Sequence, residues 1–264
     1  MQATAKILVT NDDGIRSSAL WLLAETLCDL GEVTIVAPSI QHSGAGRSYT
    51  GPDGSLASYN LPGGCRVKAA YSVDATPAKA VVLALGLLLK DDPPDLVVSG
   101  INYGENPGTS IISSGTIGAA SEAVLHGVRA LAVSRAVPEG EYLRNSETID
   151  FSVSAHFARK FAQLMLTDPV YRSLSLLKVD VPANATPHTR CKAARLSSYR
   201  YFEPVFKTDA SGEMVIDYRV NPTDPAIQPG DDIHTLLVEQ LVAVTPLTLD
   251  MTAPIDLRTL ERDC

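Results

Sequence analysis

Positive charge is scarce in this 264-residue chain. It has 22 Lys and Arg against 30 Asp and Glu, a formal net charge of −8, and no run of basic residues. That balance argues against a nucleic-acid polymer or an anionic membrane as partner. Cysteine is equally sparse. Cys28, Cys65, Cys191 and Cys264 stand far apart, with no C-x-x-C and no paired-His spacing. This excludes a recognisable zinc site and offers no disulfide framework. The longest apolar run, Ala80 to Leu89, is too short to span a bilayer. No apolar segment follows the first six residues, so a secretory signal is not expected. The expectation is a reduced, cytoplasmic protein with no membrane partner.

What the chain does have is 45% hydrophobic and 20% charged residues, enough to bury a substantial core. Ile7–Thr10 is a short β-branched run suited to a buried parallel strand. Leu20, Leu23, Ala24 and Leu27 recur at helical spacing. Val33–Ala37 forms a second strand ahead of Pro38, and residues 39–64 form a long Gly-, Ser- and Pro-rich loop. Loops of that length in a compact domain tend to be functional or disordered. Thr76-Pro77 opens a helix, Thr as N-cap and Pro at the first position. The helix Ala78–Leu89 is apolar nearly all round and is expected to be deeply buried.

Leu96–Gly100 is the next strand, followed by a helix from about Thr116 to His126 and a strand Ala130–Ser134. An amphipathic helix is marked by Ile149, Val153, Phe157, Phe161 and Leu164, and a strand by Leu176–Val181. This alternation implies an α/β, Rossmann-like, three-layer fold with a mostly parallel sheet. After Pro182 the rhythm breaks. Residues 190–225 look like irregular strands and a hairpin turning at Ser211-Gly212, Leu241–Val244 a short strand, and Leu257–Arg262 a short terminal helix. Residues 1–182 thus read as the core. Residues 183–264 read as a C-terminal β-hairpin/helix extension, packing on the core and serving as an oligomerisation arm.

Thr10-Asn11-Asp12-Asp13-Gly14-Ile15 carries the most chemistry. Adjacent carboxylates where a buried strand ends raise each other's pKa unless a cation sits between them. Asp12 and Asp13 therefore read as ligands for a hard cation such as Mg²⁺ or Mn²⁺, against the alternative of a solvated turn. His42-Ser43-Gly44-Ala45-Gly46-Arg47-Ser48 follows the second strand. Tyr49 stands where a third glycine would complete a dinucleotide fingerprint. Its glycines, Gly44 included, suit a backbone nest for an anion; Ser43 could offer a neutral oxygen to a metal and Arg47 could face a phosphate. His42 is a candidate proton donor. After Leu96–Val98 comes Ser99–Gly108, which lacks the G-K-[ST] of a P-loop but carries Asn102 and Asn106. In Ser113–Ala120, Ser114 caps a helix whose Gly115, Thr116 and small residues would let its N-terminus approach an anion. All three loops leave carboxyl ends of parallel strands, so they should meet on one sheet edge. That combination fits metal-assisted phosphoryl hydrolysis.

The same residues resemble the SurE survival-protein family of 5′/3′-nucleotidases. The resemblance rests on Ile7–Ile15, on Val36-Ala37-Pro38 with Ser43-Gly44-x-Gly46-x-Ser48, and on Ser99-Gly100-Ile101-Asn102-x-Gly104-x-Asn106-x-Gly108. Ser114-Gly115-Thr116-x-Gly118-Ala119-Ala120-x-Glu122 and Val244-Thr245-Pro246-Leu247 complete it. It implies a phosphomonoesterase acting on nucleoside monophosphates with one divalent cation per subunit, Mg²⁺ or Mn²⁺. The ligands would be Asp12, Asp13, Ser43 and Asn102, with Asn106, Ser114 and Thr116 beside the phosphate. It also implies a homodimer or homotetramer assembled through the C-terminal extension. Three positions depart from the pattern: Ser113 replaces an aromatic or His, Lys79 replaces Asp after Thr-Pro-Ala, and Arg195–Arg200 matches only loosely. Two rivals weighed against this reading are an aspartyl-phosphate phosphatase, disfavoured by Gly at position 14, and a non-catalytic nucleotide sensor, which would not need the Asp pair.

Overall fold

Ile7 and Val9 pack into one hydrophobic cluster while Leu8, between them, packs into another. That alternation places strand β1 (Ala5–Thr10) in the middle of three layers. The computed structural model describes residues 4–50, 55–138, 148–209, 212–220, 224, 226–256 and 258. In chain order, β1 is followed by α1 (Ser18–Leu27), β2 (Gly31–Pro38), β3 (Ala57–Ser58), β4 (Ala69–Val73), α2 (Pro77–Leu83) and β5 (Leu96–Tyr103). Then come α3 (Gly115–Leu125), β6 (Ala130–Arg135), α4 (Ser152–Thr167), α5 (Pro169–Arg172), β7 (Leu176–Val181), β8 (Cys191–Ala193), β9 (Phe202–Thr208), β10 (Met214–Val220) and β11 (Val242–Leu247).

Nine strands form one sheet in the order β3-β4-β2-β1-β5-β6-β7-β11-β8. Strands β4, β2, β1, β5, β6 and β7 run parallel, whereas β3 pairs antiparallel with β4 and β11 antiparallel with β7, and β8 runs parallel to β11. Residues of α1 and α4 cover the face holding Ile7 and Val9; those of α2 and α3 cover the face holding Leu8. The α/β, mostly parallel, three-layer architecture expected from the alternating pattern is therefore the one observed. The chain builds outward from β1 through β2 to β4, then returns to start β5 on the other side of β1. The strand order thus reverses between β1 and β5, the place where open α/β sheets bind ligands.

Several local expectations are corrected. Strand β4 lies in a stretch not assigned to any element, and β3 lies inside the presumed 39–64 loop. The helix over Ala78–Leu89 is instead α2 passing into a π-helical turn, Ala84–Leu88. It buries Ala78, Ala80, Val81 and Ala84, but Leu87 is 68% exposed, because a helix laid on a sheet covers only one face. Thr76 precedes α2, yet its hydroxyl donates to the Ser48 carbonyl at 2.5 Å rather than capping the helix. In the C-terminal part, β9 and β10 make the expected hairpin, and β11 joins the core sheet beside β7. Ser211 of the expected turn and nearly all of the terminal helix Leu257–Arg262 lie outside the described residues. Among the described residues, no helix is long and apolar enough to cross a membrane.

Candidate active site

At the end of β1 the backbone turns sharply, and Asn11 makes the turn. Its side chain accepts from Gly14 N at 3.1 Å and donates to the Gly14 carbonyl at 3.2 Å. Gly14 has φ +94°, and a Cβ there would lie 3.0 Å from the Ile40 carbonyl carbon, so only glycine fits. The closed turn holds Asp12 and Asp13 inside the protein, 5% and 4% exposed. They are not a solvated surface pair.

Each carboxylate is gripped by a different element. Thr116 Oγ1, in the first turn of α3, donates to Asp12 Oδ1 at 2.6 Å, and the Thr116 backbone N–H also bonds Asp12. A Cβ on Gly115 would meet Asp12 Cβ at 2.7 Å, so glycine lets the helix N-terminus rest directly on Asp12. Asp13 Oδ1 accepts from Gln41 Nε2 at 3.0 Å, and Asp13 also bonds the Tyr103 backbone N–H from the end of β5. Burial raises the pKa of Asp12, opposed by its Thr116 bonds. Burial raises that of Asp13 well above the usual range, and the neighbouring Asp12 charge raises it further. Two desolvated negative charges side by side are the arrangement a hard cation relieves.

The other two loops close over this pair. His42 N donates to the Asp12 carbonyl at 2.7 Å, and Gly46 N donates to the Ser113 carbonyl at 2.9 Å. A Cβ on Gly118 would collide with the Gly46 carbonyl, so small residues on α3 let the 39–50 loop dock. Ser43 follows His42 and is exposed; Gly44, in the left-handed region at φ +73°, has open space around it. Arg47 is committed to Glu122 on α3 at 3.0 Å and stacks over Tyr49. Its guanidinium is thus held against a buried carboxylate. Burial pushes the His42 pKa down, partly opposed by the Asp74 charge.

Asn102 lies within β5 and not in the loop beyond it. The β5–β6 register shifts between Ser99 and Asn102, and at Gly100, φ +139°, a Cβ would strike the Val133 carbonyl. Asn102 Nδ2 donates to the Gly104 carbonyl at 2.8 Å, leaving its carbonyl oxygen as the end able to ligate. Asn106 is buried and donates from Nδ2 to Ser134 Oγ at 2.9 Å. Ser114 caps α3, its Oγ accepting from Ile117 N at 3.2 Å. The structure therefore brings together Asp12, Asp13, Gly115 and Thr116, with the 39–50 loop docked against them. The Thr116 hydroxyl is directed at Asp12.

The donor set on this edge is carboxylate, amide and hydroxyl oxygen, which suits Mg²⁺ or Mn²⁺ and not a soft or nitrogen-seeking ion. Among the described residues, no group of three or more His, Cys, Asp or Glu is placed to hold a metal ion. Residue reading missed Gln41, Ser134 and a buried charged group, Lys178, Asp180 and Asp232. Lys and Asp inside the apolar strand Leu-Leu-Lys-Val-Asp-Val were a visible signal, because buried charges must find partners. Gln41 and Ser134 gave none.

Comparison with known proteins identifies the family. The family model described as survival protein SurE matches residues 7–203, which include every residue of the candidate site. The 5′-nucleotidase SurE of Thermococcus gammatolerans is 39% identical, over 97% of this chain and 94% of that protein. The 5′-nucleotidase SurE of Methanocella arvoryzae is also 39% identical, over 95% and 94%. The crystal structure of the SurE protein from Aquifex aeolicus superposes with a TM-score of 0.77 at 28% identity, covering 97% of this chain and 98% of that one. With the motifs in order, the fold shared end to end and the acidic pair buried at the strand switch, this chain belongs to the SurE family.

Proposed function

We propose that this chain is a divalent-metal-dependent 5′-nucleotidase, hydrolysing nucleoside 5′-monophosphates to nucleoside and phosphate. The observation that carries this reading is the buried pair Asp12–Asp13 under the N-terminus of α3, at the point where the strand order reverses. Asp12, Asp13, Ser43 and Asn102 would hold one cation, Mg²⁺ or Mn²⁺. When bound, the cation supplies positive charge to the phosphoryl oxygens and lowers the pKa of the attacking water.

The chain's own residues do the rest. Thr116 and Gln41 fix the two carboxylates, so the ligand oxygens are oriented before substrate arrives. The N-terminus of α3, capped by Ser114, presents backbone N–H groups and a partial positive charge to an anion. Gly115 and Gly44 allow close backbone approach. Asn106, its amide oriented by Ser134, stabilises charge developing on the phosphoryl oxygens. These devices allow a protein of net charge −8 to hold an anion.

We infer that residues 183–264 act as the assembly arm of a homodimer or homotetramer. On one face of the hairpin, Phe206 lies opposite Ile216, 67% and 60% exposed, with Met214 exposed beside them. An apolar face of this kind is a docking surface for protein. We place the enzyme in the cytoplasm; Cys28, Cys65 and Cys191 are free thiols, as a reducing compartment maintains.

The deciding experiment is phosphate release from a panel of nucleoside monophosphates, with and without Mg²⁺ or Mn²⁺, alongside Asp12→Asn. Metal-dependent release lost in the variant supports the reading. Nucleotide binding without release under any metal overturns it in favour of a sensor.

A further inference from the structure

Lys178, Asp180 and Asp232 are completely buried, and none belongs to the cation or phosphate sites described above. Lys178 and Asp180 sit two residues apart on β7, on the face that also carries Leu176. Asp232 belongs to the C-terminal extension, ahead of β11. Lys178 Nζ donates to Asp180 Oδ2, and to Asp232 Oδ2 at 2.9 Å. One ammonium between two carboxylates leaves a net negative charge in a dehydrated interior. Such a group persists only where the remaining lone pairs accept hydrogen bonds.

Two of these donors come from one loop. Asp180 Oδ1 accepts from Asn106 N at 2.8 Å, and Asp232 Oδ2 accepts from Gly108 N at 3.0 Å. Asp232 Oδ1 accepts from Ser197 N at 2.9 Å and Ile233 N at 3.0 Å, both in the extension. The extension also presses on the loop directly. A Cβ on Gly108 would lie 2.8 Å from the Tyr199 carbonyl, and Thr109 Oγ1 donates to that carbonyl at 3.2 Å. The backbone of Asn106 and Gly108 is therefore clamped between a core strand and the C-terminal arm, with Lys178 as the common tie.

We propose that Lys178, Asp180 and Asp232 are positioning residues for Asn106, holding its loop in register with the phosphate site, so that turnover depends on the C-terminal extension although the extension touches no reacting atom. This rests on the reading of Asn106 as a phosphate-stabilising residue. Packing alone does not call for the triad, since apolar side chains of similar shape fill such a space at least as well. The two loop amides it binds, those of Asn106 and Gly108, do call for it.

The test uses the full chain. In Asp180→Leu the acceptor for Asn106 N is lost, and kcat should fall about 10- to 100-fold with KM within about twofold. Mn²⁺ affinity, read from the thermal shift it induces, should be unchanged, because Asp12 and Asp13 are untouched. Amide hydrogen exchange should accelerate at residues 106–109 and stay slow at 11–13. Asp180→Asn keeps an oxygen acceptor for Asn106 N and leaves Lys178 paired with Asp232, and should retain kcat and loop protection. If Asp180→Leu does not fold, Asp232→Asn gives the same readings through Gly108, whose N–H would then face an amide donor. Retained kcat and protection in Asp180→Leu or in Asp232→Asn overturn the proposal. So does a loss of Mn²⁺ affinity with exchange accelerated at 11–13 as well, which is general loosening. A wild-type protein that releases no phosphate defeats the nucleotidase reading instead, a separate result from active variants.

Discussion

Thr116 Oγ1 lies 2.6 Å from Asp12 Oδ1, a bond between the first turn of one helix and the end of a strand 104 positions earlier. It fixes which way the Asp12 carboxylate faces, and it sits where burial has already raised the cost of ionising that group. Thr116→Val keeps the shape and removes the donor. We expect loss of about 1 kcal/mol of stability and about 10- to 100-fold weaker cation activation. Titrating activity with Mg²⁺ or Mn²⁺ reads the second effect, and denaturant unfolding the first.

Asp13→Asn should abolish turnover while making the metal-free protein more heat-resistant at neutral pH. Burial and the Asp12 charge raise the folded-state pKa of Asp13 above its unfolded value. A raised carboxyl pKa contributes stability that is fully present below the unfolded pKa and is lost as pH rises through the folded pKa. Wild-type protein without cation should therefore lose Tm as pH climbs through that window, and Asp13→Asn should lose less. Calorimetry at a series of pH values, with chelator present, checks this.

Cation should reverse that loss. A ligand bound only by the folded state at about 100 times its Kd adds about 2.7 kcal/mol. We expect Mg²⁺ or Mn²⁺ to raise Tm of the wild type and to leave Asp12→Asn and Asp13→Asn unchanged. Equal shifts in all three would place the binding elsewhere.

Gly118→Ala should damage the site from a distance. The added methyl collides with the Gly46 carbonyl, so the 39–50 loop must lift from α3, at a cost of about 1–3 kcal/mol. Because Ser43 rides on that loop, cation affinity should fall while helix content by circular dichroism holds.

Phe206→Glu with Ile216→Glu places two charges on the apolar face of the hairpin. Analytical ultracentrifugation should show a shift toward monomer, with the core still folded.

Where periodicity was strong, the sequence was a good guide. Val9 and Val98 sit in buried strands flanked by helices because a β-branched run bounded by turns has few other uses, and the Asp12-Asp13 pair stood out because the charges follow such a run. Strand β4 was illegible for the opposite reason. Ala69–Val73 is short, of mixed polarity, and only its pairing with β2 makes it a strand. Asn102 was placed one element too late because the irregularity that extends β5 depends on the Val133 carbonyl of β6, a contact no local pattern encodes. The Arg47–Glu122 pair and the Asp180–Asn106 bond were hidden likewise, each joining residues from different elements.

The central strand has a consequence for how the enzyme comes to life. β1 finds one neighbour, β2, nearby in sequence, but the other, β5, only where Ile7 meets Leu96. Long-range parallel pairing of this kind forms late, after the loop between has been closed. Asp13 receives its Tyr103 bond, and Asp12 its Thr116 bond, only once β5 and α3 have arrived. A ribosome must therefore have released most of the sheet before any segment can grip a cation. Regained activity on refolding should thus follow the pairing of β1 with β5 and the arrival of α3, and not the formation of β1 and β2 alone.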